Sequence, residues 1–168
     1  MNKNNNTIFA VSTPPGKSAI AVIRISGKNA LKIIEEISEK PPRKSNNAIL
    51  NNIVDEKKEI IDQSITTIFK SPKSYTGEDM VEISIHGGGA IKNKIIRMLG
   101  SFKSCRMAEP GEFTRRAFVN NKFDLSQTEA IVDLINSETE AQRKLAIYEL
   151  NGKTTLKINV WTKNIMKI

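Results

Sequence analysis

The chain has 168 residues, of which 39% are hydrophobic and 26% charged, with a net charge of +8; this describes one globular core with at most a short appendage. Its apolar runs are strand-length, short of the roughly 20 residues that span a bilayer, and the polar start MNKNNN lacks the apolar core of a signal peptide, so a cytoplasmic protein without a membrane partner is expected. Cys105 is the one cysteine and His86 the one histidine, which excludes an internal disulfide and a multi-histidine metal site.

The elements follow in chain order. Residues 7–12 read as a strand, and Thr13-Pro14-Pro15-Gly16 forces a turn, because two prolines fix φ and remove two donors. Residues 19–26, AIAVIRIS, are β-branched and read as a buried strand. Ala30, Ile33, Ile34 and Ile37 recur at helical spacing, so 29–38 is a helix. A polar connection over 41–52 holds a possible edge strand at 46–50. Strands are expected at 62–69 and 80–85, and after Gly87-Gly88-Gly89 a helix at 90–99. This is an α+β pattern, with a mostly antiparallel sheet and helices on one face. A long helix over 126–150 follows, opened by a capping box of Ser126 and Glu129. Its apolar stripe is Ala130, Ile131, Leu134, Ile135, Ala141, Leu145 and Ala146. Asn151-Gly152 stops it. A further helical segment, 155–168, carries lysines and no acid; it needs a continuation of the chain or a partner to pack on.

Three stretches carry chemistry. In TPPGKSAIAVIRISG (13–27), Arg24 interrupts an apolar strand. A half-buried guanidinium needs an anionic or multi-acceptor partner, whereas simple alternation puts it on the solvent face. In SYTGEDMVEISIHGG (74–88), Glu82 lies among apolar neighbours. Its carboxylate suits the planar N–H/NH₂ edge of a pterin or guanine; an exposed glutamate, or a salt bridge to Arg24, is the alternative. His86-Gly87-Gly88 allows close backbone approach before a helix start, or is a plain tight turn. In AEPGEFTRRAFVNNKFDLSQ (108–127), a turn leads to a short helix bearing Arg115 and Arg116. Lys122 on the following turn can point its ammonium into a cleft. The arginines face different ways, so at most one enters a site; a solvated face with one salt bridge is the alternative. Gly152-Lys153-Thr154 imitates the end of a phosphate-binding loop, but Ile147 stands where that loop needs glycine, so no GTP hydrolysis is expected of these residues. The +8 charge favours a polyanion such as RNA, although a generally solvated basic surface gives the same count.

Together and in this order, the three stretches resemble the tRNA modification GTPases of the MnmE/TrmE type, over about residues 7–155. The resemblance implies a formyl-tetrahydrofolate-binding and dimerisation domain over 1–122, similar to folate-binding aminomethyltransferase domains, and the truncated first part of a helical domain over 123–168. It implies folate contacts at Arg24, Glu82 and Lys122, with 5-formyltetrahydrofolate as ligand, and neither catalytic nor metal-ligating residues here. It implies a homodimer that works with an FAD-dependent partner on the wobble uridine of tRNA. GTP, potassium and magnesium would bind a GTPase domain and a terminal Cys-x-Gly-Lys would end the chain; neither is within these residues, so a fragment or a truncated gene product without GTPase activity is expected. The rival readings are a non-catalytic dimerisation module and a basic RNA-binding domain.

Overall fold

A computed structural model describes residues 6–166. The chain forms two compact units that divide between Phe113 and Thr114, and each is described by itself.

The first unit contains β1 (Thr7–Val11), β2 (Ser18–Ser26), α1 (Ala30–Ile37), β3 (Ala48–Val54), β4 (Ile60–Phe69), β5 (Met80–Gly87), α2 (Gly89–Ser101) and β6 (Cys105–Met107). The strands make one sheet in the order β3-β4-β5-β2-β1-β6. Neighbours run antiparallel except β1 and β6, which are parallel. This is the α+β architecture that the hydrophobic pattern predicts. The possible edge strand at 46–50 is real but lies later, at Ala48–Val54. β6 was not expected, since three residues carry too little alternation to read.

Strand periodicity sorts the side chains. Ala21, Ile23 and Ile25 of β2 and Val81, Ile83 and Ile85 of β5 turn to one face and are almost fully buried. They pack with Ile33, Ile34 and Ile37 of α1 and with Ile95 and Leu99 of α2 in one core. Each such side chain contributes about 1.5–3 kcal/mol by leaving water. The intervening residues, including Arg24 and Glu82, turn to the face away from α1 and α2. The loop 70–79 between β4 and β5 is sewn to the end of β2. Ser26 Oγ hydrogen-bonds Thr76 Oγ1 and Glu78 Oε2, each at 2.8 Å. The Gly27 amide donates to Asp79 O at 2.9 Å.

α3 (Glu112–Val119) runs across the division, and α4 (Leu125–Ile135), α5 (Glu140–Leu150) and α6 (Lys153–Ile165) follow. Two expectations are corrected here. The helix over 126–150 is two helices, because Thr139 starts α5 with a capping box of its own, completed by Gln142. Such local hydrogen bonding competes with helix continuation. The first capping box is formed by Asp124 and Gln127, not by Ser126 and Glu129. Both patterns satisfy the spacing rule, and the earlier one wins by bonding reciprocally: the Gln127 amide donates to Asp124 Oδ1 at 2.8 Å, and the Asp124 amide donates to Gln127 Oε1 at 2.9 Å. Gln127 Nε2 also donates to Leu150 O, and Thr155 Oγ1 to Asp124 Oδ2. These bonds tie the start of α4 to the α5–α6 junction, where Gly152 takes a left-handed φ of 71°. Of the predicted stripe, Ala130 and Ala146 are buried, whereas Ile135 and Leu145 are exposed.

Candidate ligand-binding site

Arg24 and Glu82 face each other across the β2–β5 ladder. Arg24 Nε and Nη2 both donate to Glu82 Oε1, at 2.9 and 2.6 Å. Of the alternatives, the salt bridge of Glu82 to Arg24 is formed, on the sheet face away from the core. Their side chains are 24% and 28% exposed, so the pair is sheltered yet open to a ligand. Among the described residues, Glu82 Oε2 accepts no hydrogen bond. That oxygen keeps its capacity for a planar N–H edge.

Two rings flank the guanidinium. Its Cζ lies 5.0 Å from the Tyr75 ring centroid and 5.6 Å from that of Phe113, within cation–π range. Local sequence places each ring. Tyr75 belongs to the 70–79 loop, where the Ser71 amide donates to Asp79 Oδ1, Ser71 Oγ to Gly77 O, and Ser74 Oγ to Glu78 O. Phe113 follows the Pro110-Gly111 turn, where Gly111 has a φ of 72°. Arg106 of β6 clamps that turn, donating from Nη1 and Nη2 to the Glu112 carboxylate at 2.8 and 2.6 Å. Glu112 is 3% exposed, and its hydrogen bonds hold the Arg106 guanidinium above its ordinary pKa. Tyr75 and Phe113 lie within the sequence motifs, but their type alone assigns them no role. Aromatic residues in turns beside a strand arginine were the available signal.

Lys122 belongs to the second unit. It is exposed, and its amide donates to Ala117 O at 2.8 Å after Asn121, whose φ is 56°. The structure thus brings Arg24 and Glu82 together and sets Lys122 on the turn after α3. Of the two arginines on α3, Arg116 is buried and Arg115 exposed.

His86 ends β5. Its Nδ1 lies 2.7 Å from Asp62 Oδ1, and its amide donates to Asp62 Oδ2 at 2.8 Å. The carboxylate holds the ring, whose side chain is 69% exposed. The glycines after it divide their work. A Cβ on Gly87 would sit 2.3 Å from Ser18 O, so only glycine permits the close pairing with β2, while Gly88 is the N-cap of α2. Among the described residues no helix is long and apolar enough to cross a membrane.

Comparison with known proteins agrees with the motifs that frame this site. Residues 7–122 match the family described as "GTP-binding protein TrmE N-terminus". The tRNA modification GTPase MnmE of Anaplasma marginale is 43% identical over 97% of this chain and 36% of its own length. The proteins of that name from Christiangramia forsetii and Rickettsia conorii are 46% and 45% identical, over 89% and 96% of this chain and 32% and 37% of their own. The chain therefore spans about a third of the length of the curated relatives it matches. The motifs, the matched residues and these identities place the chain in the TrmE family of tRNA modification GTPases, as an N-terminal region.

Proposed function

We propose that this chain is the folate-binding part of an enzyme that modifies tRNA, with Arg24, Glu82 and Lys122 contacting 5-formyltetrahydrofolate. The observation that carries the reading is the Arg24–Glu82 pair, flanked by two aromatic rings and with Glu82 Oε2 open. A reduced pterin fits this chemistry. Its N–H/NH₂ edge needs a carboxylate acceptor, and its flat ring needs aromatic or guanidinium faces. Arg24 suits a carbonyl or carboxylate oxygen of the ligand, and Lys122 would supply a second cation from the turn after α3. The residues bind and orient; the folate, when bound, supplies the one-carbon unit.

On this reading the domain runs over 1–122, and 123–168 begins a helical domain. The whole protein would modify carbon 5 of the wobble uridine in tRNA, in the cytoplasm, with an FAD-dependent partner. GTP, potassium and magnesium would bind elsewhere in it. A homodimer through the first unit is part of the proposal. Leu50 and Ile65 are exposed and opposite each other on the sheet face away from α1 and α2, an apolar pair that suits an interface. Sedimentation of the purified chain at micromolar concentration is expected to return a dimer.

Calorimetric titration with 5-formyltetrahydrofolate tests the ligand assignment. Micromolar binding supports it, and silence at millimolar ligand overturns it.

A further inference from the structure

On the helix side of the same sheet, a hollow of about 450 Å³ opens between α1, the 38–47 loop and the end of β4. Leu31, Ile34 and Ile68 line it together with Arg43 and Lys70. Lys44 and Lys73 follow them closely in the same two loops, and all four cations are exposed. None of the four makes an ion pair among the described residues. Glu35 is the one acid among the lining residues.

The backbone under these cations is fixed. The Lys70 amide donates to Ser45 Oγ at 3.0 Å. The Asn46 amide donates to Ile68 O at 2.8 Å, and the Lys73 amide to Lys70 O at 2.9 Å. The two loops therefore present their charges as one surface. Lys44 and Lys73 are not among the residues that line the hollow, so the charges extend beyond it. A small anion would need donors that converge in a sheltered pocket, whereas a phosphodiester chain offers charges spaced along a backbone.

We propose that this surface docks the phosphate backbone of a folded RNA, through Arg43, Lys44, Lys70 and Lys73. The proposal rests on the reading above that the chain acts on tRNA, and it deepens that reading. The loop that carries Lys70 and Lys73 also carries Tyr75, which flanks Arg24. Leu31, the partly buried apolar residue of the lining, offers van der Waals contact to a sugar edge that enters the hollow.

The test measures binding of bulk tRNA to the whole chain between about 50 and about 200 mM KCl. Two variants of equal charge are compared: Arg43→Gln/Lys44→Gln/Lys70→Gln/Lys73→Gln, and Lys17→Gln/Lys57→Gln/Arg97→Gln/Lys103→Gln on other exposed positions. Four phosphates released by the first variant should flatten the log–log salt slope by about 3.6 and weaken low-salt binding about tenfold or more. The second variant should change both far less. Equal losses in the two variants, or no binding by the wild type at the lower salt, would overturn the proposal. So would displacement of the tRNA by polyglutamate at equal charge concentration, which would mark the surface as fitted to an acidic protein. Unfolding midpoints of both variants, matched to the wild type, show that they fold. Titration of the first variant with 5-formyltetrahydrofolate separates the two readings: unchanged ligand binding with lost RNA binding assigns the loss to this surface alone. RNA binding confined to the surface in a chain that ignores folate leaves this inference standing without the folate site.

Discussion

The Arg24–Glu82 pair should stabilise the first unit by a measurable amount. Two charge-assisted hydrogen bonds converge on one carboxylate oxygen, at 2.9 and 2.6 Å. A hydrogen bond to a charged group contributes about 1.5–3 kcal/mol when water is excluded, and an exposed ion pair at most about 1 kcal/mol. With side-chain exposures of 24% and 28%, the pair falls between these limits, at about 1–2 kcal/mol. Glu82→Gln keeps the shape and a neutral acceptor, so it should cost about 1 kcal/mol, a fall of about 2–4 °C in Tm for a chain of this size. A double-mutant cycle of Glu82→Gln with Arg24→Gln, followed by thermal unfolding at neutral pH, isolates the interaction. The expected coupling is about 1–2 kcal/mol, and it should persist at high salt because the pair is partly sheltered. Coupling within about 0.5 kcal/mol of zero would refute the reasoning and describe two solvated side chains.

Other outcomes follow from the same structure. Glu112→Ala removes the fork that Arg106 binds and leaves a guanidinium that is 27% exposed; urea unfolding should show a loss of about 2–3 kcal/mol, and a loss below about 1 kcal/mol would mean that the clamp is dispensable. Gly87→Ala would drive its Cβ to 2.3 Å from Ser18 O, and a cost of about 1–3 kcal/mol is expected, against none if β2 and β5 can part freely there. Burial pushes the Cys105 thiol up to about 11, from an ordinary 9.0. A raised pKa means that the folded chain holds its proton longer than the unfolded chain. The contribution is therefore complete below pH 9.0 and declines as pH rises toward about 11. Wild type minus Cys105→Ala stability should show this decline, and parallel pH curves would contradict it.

Much of this was legible in the sequence because strand alternation is a local signal. Ala21, Ile23 and Ile25 announce the buried face of β2, and the same period puts Arg24 on the other face. That Arg24 meets Glu82 was only one alternative, since contact between residues 58 apart depends on β2 and β5 being neighbours. Propensity does not encode strand order. The clamp of Arg106 on Glu112 needed β6, which is three residues long. The errors in the helical part have a common origin. Asp124-x-x-Gln127 and Ser126-x-x-Glu129 both satisfy the capping rule, and the break before Thr139 lies inside an apolar period that reads as continuous. Local polar hydrogen bonds decided both cases, at energies of about 1 kcal/mol that pattern counting does not resolve.

A crystal structure of this chain grown with 5-formyltetrahydrofolate is the most direct test of the functional assignment. The expected result is the pterin edge at Glu82 Oε2, with Arg24, Tyr75 and Phe113 around the ring system. Folate bound away from β2 and β5, with the Arg24–Glu82 pair untouched, would contradict it.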